Sequence, residues 1–174
     1  MQFTILEEHG FDYAVKGMSL SFLTDMDKAY KRAELLAPMD GGHNKFIESI
    51  AVWLDVRATR GWWQQMATYR AGITTQSEST MHTIMRRPLE RSDFHPSTDD
   101  RIIAILNSYI RSGNFHEVIH NIPEGFLQRR IIMTNYKTLR NIWQQRHDHK
   151  RGEWQEFCKG LRGLKHFNYL TEKK

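Results

Sequence analysis

Two stretches of this 174-residue chain gather side chains suited to gripping a charged small molecule. The first runs from Gly42 to Arg70 and sets Gly42, His43, Glu48, Arg60, Gln65 and Arg70 around the apolar alternation of Ile50, Val52, Leu54 and Val56. The second runs from Asn135 to Asp148 and carries Asn135, Lys137, Asn141, Arg146 and Asp148, with Trp154 following. An arginine is fitted to such work because its planar fork holds a phosphate or a ring carbonyl through two hydrogen bonds and never loses its charge. Spacing alone does not unite them. Gln65 and Arg70, five apart, share a helix face only loosely, and Asn135 and Asn141, six apart, do not stack on one face.

Each of these residues also has an ordinary reading. His43, after two glycines, reads as a cap on Asp55 or on a backbone carbonyl. Glu48 and Arg60 read as a structural ion pair, and Arg146, Lys150 and Arg151 as a solvated basic face. Trp62, Trp63 and Trp143 read as core or subunit interface. The run His147-Asp148-His149 invites a metal, but neighbours on a helix diverge and no further ligand pair accompanies them, so no metal is expected. Cys158 lies on an amphipathic segment, where a buried structural thiol is the rule and a nucleophile the exception.

The elements that position these residues follow from periodicity. Gln2–Glu8 reads as a strand, and Asp25–Leu36 as a helix capped by Thr24, with Met26, Ala29, Tyr30, Ala33 and Leu36 at helical spacing and Pro38 and Gly41-Gly42 ending it. Gly42–Ser49 reads as a helical turn, Ile50–Arg57 as a half-buried strand and Gly61–Tyr69 as a helix. Ala71–Ser79, rich in Gly, Thr and Ser, reads as a loop. A helix begins at Thr98-Asp99-Asp100, capped by Thr98, with Ile102, Ile103, Ile105, Leu106 and Ile110 as its buried stripe and Gly113 as its end. After the turn at Ile122–Gly125, Asn135–Arg146 and Glu153–Leu164 read as two more helices. The expected class is α+β, a small antiparallel sheet packed with several helices in a single domain over 1–174.

Composition sets the outer bounds. Apolar residues make up 40% and charged residues 26%, as in ordinary globular proteins, and the apolar runs are too short to cross a bilayer. No membrane partner is expected. A net charge of +5 favours an anionic partner, but the basic residues are spread along the chain with no nucleic-acid signature, which favours a phosphate-bearing small molecule over nucleic acid. Met1–Gly10 lacks the pattern of a secretory leader and there is one cysteine, so the expected address is the cytoplasm.

Taken as motifs, the two stretches resemble the flavin-dependent thymidylate synthases. Members of that family carry Gly-His, then Glu-His, a strand, an Arg, a Gln and an Arg-His-Arg triplet. Gly42, His43, Glu48, Arg60, Gln65 and Arg70 fall in that register without gaps. The family's later block, an Asn, a basic residue, a second Asn, an Arg and then Asp and Trp, is met by Asn135, Lys137, Asn141, Arg146, Asp148 and Trp154. The two blocks occur in the family's order along the chain.

The resemblance implies FAD as cofactor, NADPH and methylene-tetrahydrofolate as co-substrates, and transfer of a one-carbon unit to C5 of a deoxyuridine nucleotide, dUMP to dTMP. It implies that His43, Tyr69, Arg70, Asn135, Lys137 and Asn141 hold the flavin. Gln65, Glu78, Ser79 and Arg146 would hold the pyrimidine nucleotide, Arg146 being the catalytic candidate, in a homotetramer whose sites draw on several subunits. This chain departs from the pattern in two places. The triplet reads Thr68-Tyr69-Arg70, where Tyr69 can stack on a flavin ring but Thr68 removes a cation. The next segment, Thr74–His82, aligns in two ways. One matches Ser79 and puts Met81 in place of an arginine; the other matches Glu78 and Thr80 and puts His82 there. Pyrimidine hydroxymethylation and non-catalytic flavin or nucleotide binding are the alternatives these departures leave.

Overall fold

The alternation that begins at Ile50 fixes the centre of the molecule. In the computed structural model, which describes Met1–Thr171, strand β2 (Ala51–Thr59) buries Val52, Leu54 and Val56 completely and turns Trp53 outward. Strand β1 (Gln2–His9) pairs antiparallel along one edge of β2. Along the other edge runs β4 (Leu127–Asn135), which places Ile132 opposite Leu54, and the short strand β3 (Thr74–Ser77) completes the sheet in the order β1-β2-β4-β3.

Helices cover one face of this sheet. Helices α1 (Phe11–Leu20) and α2 (Met26–Leu36) contribute Ala14, Val15, Ala29 and Ala33, and α3 (Arg60–Met66) contributes Trp62, Trp63 and Met66. The short helix α4 (Thr80–Thr83), α5 (Asp100–Arg111) and α6 (Phe115–Asn121) come next, and the last two, α7 (Tyr136–Arg146) and α8 (Gly152–Leu161), bury Leu139, Ile142, Trp154 and Phe157. Each such side chain contributes about 1.5–3 kcal/mol by leaving water. A second apolar cluster, built from Ile84, Leu89, Phe94, Ile103, Leu106 and Val118, holds α5 and α6 together. Asp93 bolts it to the sheet, because its buried carboxylate accepts from Arg87 at 2.7 Å and from Arg57 of β2 at 3.1 Å. Burial pushes that carboxyl's pKa up, and the hydrogen bonds from Arg87 and the Glu90 backbone outweigh it, holding the group below its ordinary value.

The α+β class and the antiparallel sheet are as expected, and several details differ. The stretch expected to be a loop contains β3, whose backbone pairs with β4 while its polar side chains face solvent, as suits an edge strand. Thr24 and Thr98 are not caps. In each case the following aspartate takes the role, Asp25 accepting from the Lys28 amide and Asp99 from the Arg101 amide, both at 2.9 Å. Asn135 is likewise a cap and not a helical residue, and α8 spans Gly152–Leu161 where Glu153–Leu164 was expected. Of the expected stripe on α5, Ile103 and Leu106 are buried and Ile105 is exposed.

Candidate functional site

The two polar stretches meet. Helix α3 follows β2 directly, started by Thr59, whose hydroxyl accepts from the Trp62 amide at 3.1 Å. From its far end Gln65 accepts a hydrogen bond from Trp154 Nε1 at 2.7 Å. Just beyond, the Tyr69 hydroxyl accepts from Arg146 Nε at 2.8 Å and donates to Gln145 at 3.0 Å. The Arg146 guanidinium lies 4.9 Å above the Trp154 ring, a cation–π placement that fixes its plane. Its terminal nitrogens make no hydrogen bond among the described residues, so one edge of the guanidinium is anchored and the other is open to an acceptor.

The loop after Arg70 is clamped to the start of α7. Asn135 Oδ1 caps the Thr138 amide at 2.9 Å, and the Thr138 hydroxyl donates to the Ala71 carbonyl at 3.1 Å. Gly72 permits the approach: its φ is +71° and a Cβ there would fall 2.7 Å from Asn135 Nδ2. Arg70 and Asn141 are exposed and make no side-chain hydrogen bond among the described residues. Lys137 donates to Asn44 and lies 4.0 Å from Asp40, which joins α7 to the segment beside His43.

Other expected site residues stand apart. His43 is exposed on a groove of 510 Å³ between α1 and the 3₁₀ turn Lys45–Ser49. Glu78 and Ser79 sit at the far end of β3, where the Glu78 carboxylate accepts from the Arg129 amide at 3.2 Å and Ser79 starts α4. Neither is hydrogen-bonded to Arg146 among the described residues.

Several ordinary readings are settled. His43 does not cap Asp55, which is paired with Arg129. Glu48 and Arg60 form no ion pair, the Arg60 fork reaching, among the described residues, only the Ile122 carbonyl at 3.4 Å. Arg146 is not part of a solvated face, and Arg151 is paired with Glu153 at 3.0 Å. Trp62 and Trp63 are core. Burial pushes the Cys158 thiol up to about 12, as befits a structural cysteine. Gln145, which completes the Tyr69 bridge, was not singled out in the sequence; its signal is its place beside Arg146.

No protein family's model matches the chain, and no curated protein matches it. Solved structures do. A crystal structure of the flavin-dependent thymidylate synthase ThyX from Helicobacter pylori, complexed with FAD and dUMP, superposes with a TM-score of 0.80 at 16% identity, covering 98% of this chain and 97% of that one. A second Helicobacter pylori ThyX structure, with FAD and dUMP, gives 0.81 at 16% identity over the same shares. This chain has the fold of a flavin-dependent thymidylate synthase. Within the thymidylate synthase fold, the Gln65–Tyr69 segment and the Arg146–Trp154 segment form one contact cluster, although some 75 residues of chain lie between them.

Proposed function

We propose that the chain is an enzyme of the flavin-dependent thymidylate synthase type, transferring a one-carbon unit to C5 of a deoxyuridine nucleotide with FAD, NADPH and methylene-tetrahydrofolate. The observation that carries this reading is the 2.8 Å contact of Arg146 with Tyr69, on a fold whose solved examples hold FAD and dUMP.

The donor set fits a flavin dinucleotide. Arg70 and Asn141 are unengaged among the described residues. Lys137, on α7 with Asn141, adds a partly buried ammonium that reaches Asn44. A pyrophosphate needs such cations, and an aromatic face such as that of Tyr69 suits a planar ring. Asn135 orients the loop that presents Arg70, and His43 supplies a further exposed donor. Bound flavin supplies the hydride chemistry; the chain's own residues position and polarise.

Arg146, fixed at its inner nitrogen, directs two terminal nitrogens at a pyrimidine carbonyl or phosphate. Gln65, its carbonyl engaged by Trp154, keeps its amide nitrogen to donate. Glu78 and Ser79 complete the substrate site from a neighbouring protomer in a homotetramer. Trp53, Ile131 and Met133, partly exposed on the open face of the sheet, supply apolar surface for that assembly. A cytoplasmic setting accords with the single reduced cysteine. Pyrimidine hydroxymethylation is the second reading, favoured by Thr68 and by either Met81 or His82 standing exposed where the family carries arginines.

The test is NADPH oxidation by flavin-loaded protein. Oxidation that requires a deoxyuridine nucleotide and disappears in Arg146→Ala supports the proposal, and oxidation indifferent to nucleotide refutes it. The mass of the nucleotide product separates methylation from hydroxymethylation.

A further inference from the structure

The segment from Ala37 to Asn44 joins α2 to the 3₁₀ turn Lys45–Ser49 and carries His43 to the groove beside α1. At Gly41 and Gly42 it has no side chain to pack, and nothing lies within 4 Å of the place a Cβ would take at either. Polar ties from α7 hold it instead. Lys137 and Arg140 are three apart and share one face of that helix. The Arg140 guanidinium is buried and donates to the Pro38 carbonyl at 2.5 Å, with Asp40 at 3.8 Å. The Lys137 ammonium donates to Asn44 Oδ1.

Asn44 is wholly buried, yet its side chain does not cap the turn that it begins, which is the ordinary use of an asparagine in that place. The amide reaches across the loop. Its Nδ2 donates to the Ala37 carbonyl at 3.1 Å while its Oδ1 accepts from Lys137. That orientation is forced, because a carbonyl needs the N–H and an ammonium needs the oxygen. Asp40 is the carboxylate nearest to Lys137 among the described residues, at 4.0 Å, and its side chain is 72% exposed, so solvent screens the pair. The ammonium is therefore directed by a neutral acceptor and keeps its charge, with two more protons to donate. A point charge on a flexible four-carbon stem needs such a guide.

We infer that Asn44 is a positioning residue for anion recognition by Lys137: its buried amide oxygen aims the ammonium and, being neutral, leaves the full charge to the pyrophosphate of a flavin dinucleotide. The inference rests on the flavin reading and adds to it a residue to which the resemblance gives no role. An aspartate at this position would hold Lys137 and cancel its charge, whereas an alanine would spare the charge and lose the aim. Both changes act through Lys137, so neither matters to the anion once the ammonium is gone.

Titration of the full chain with FAD, followed by quenching of flavin fluorescence at several concentrations of potassium chloride, decides it. Lys137→Met and Asn44→Asp each weaken FAD binding about tenfold at low salt, the loss expected for a charge-assisted contact, and each makes the affinity less sensitive to salt. Asn44→Ser, whose hydroxyl can accept from Lys137, retains part of the affinity. In the Lys137→Met background Asn44→Asp brings no further loss, the non-additivity of a residue that acts through another. Circular dichroism checks the fold of each variant, and the serine and aspartate variants give two routes to the answer. Asn44→Asp that binds FAD as wild type does, or losses at the two positions that simply add, overturn the inference and leave the flavin reading standing. Wild type that takes up no FAD at any salt concentration removes the flavin reading and this inference with it.

Discussion

Arg146 and Arg130 are one kind of side chain in nearly one posture, each half-buried above an indole on either side of α3, and they differ in what the inner nitrogen touches. Arg146 Nε has the Tyr69 hydroxyl at 2.8 Å, whereas Arg130 Nε has no hydrogen-bond partner among the described residues. The first is oriented before any ligand arrives, since the bond and the Trp154 ring leave the guanidinium little freedom to lose on binding. The second is held by the Trp63 ring and by one long bond to Gln128 Oε1 at 3.3 Å. A third arrangement marks the opposite extreme: Arg87 and Arg57 share the Asp93 carboxylate and form a closed structural unit.

Removing each in turn breaks or sharpens this comparison. The largest effect is expected for Arg146→Ala. Loss of a pre-placed donor lowers nucleotide-dependent turnover by about 10²–10³, measured by steady-state kinetics, with flavin uptake retained. Next comes Asp93→Asn, which leaves two arginines without their partner and costs about 2 kcal/mol in denaturant unfolding, less than for a fully buried pair because Arg87 is half in solvent. Because the folded carboxyl has a lowered pKa, its stabilisation is complete above the unfolded value of 3.8 and is lost as pH falls through the folded one. Wild type therefore loses stability in that acid range, and Asp93→Asn loses less.

Tyr69→Phe removes the bridge between Arg146 and Gln145 and keeps the ring. Its expected cost is about 1 kcal/mol, or roughly fivefold in kcat/KM, with flavin binding unchanged. The smallest shift separates the two arginines most cleanly. Arg130→Met is stabilising by about 1 kcal/mol, because a half-buried charge without a carboxylate partner gives way to an apolar side chain of similar length, while Arg146→Met destabilises. A lower thermal midpoint for Arg130→Met would mean that the charge is already compensated.

The same contrast explains what was legible in the sequence. Strand β2 could be read because its apolar residues point to the core and its polar ones outward. Strand β4 could not, because its covered face carries Gln128, Arg130 and Thr134 while Ile131 and Met133 stand on the open side. Hydrophobic alternation therefore ran against its true orientation. Strand β3, exposed along its whole length, has no burial pattern to reveal it. Helix α1 lacks a side-chain cap, its N-cap being Gly10. At the site, the pairing of Gln65 and Tyr69 with the Arg146 segment followed from residue types and spacing shared with a known family. The separation of Glu78 and Ser79 from that cluster depends on which end of β3 they occupy, and this follows from the pairing with β4 that the sequence concealed.

The role proposed for Arg146 requires that the surface around Tyr69, Arg70 and the start of α7 takes up a flavin. Titration of the purified chain with FAD, followed by quenching of flavin fluorescence, tests that most directly. Saturable, stoichiometric uptake that is weakened by Arg70→Ala and by Gly72→Val is the predicted result. A protein that is isolated colourless and leaves added flavin fluorescence unchanged would contradict the account.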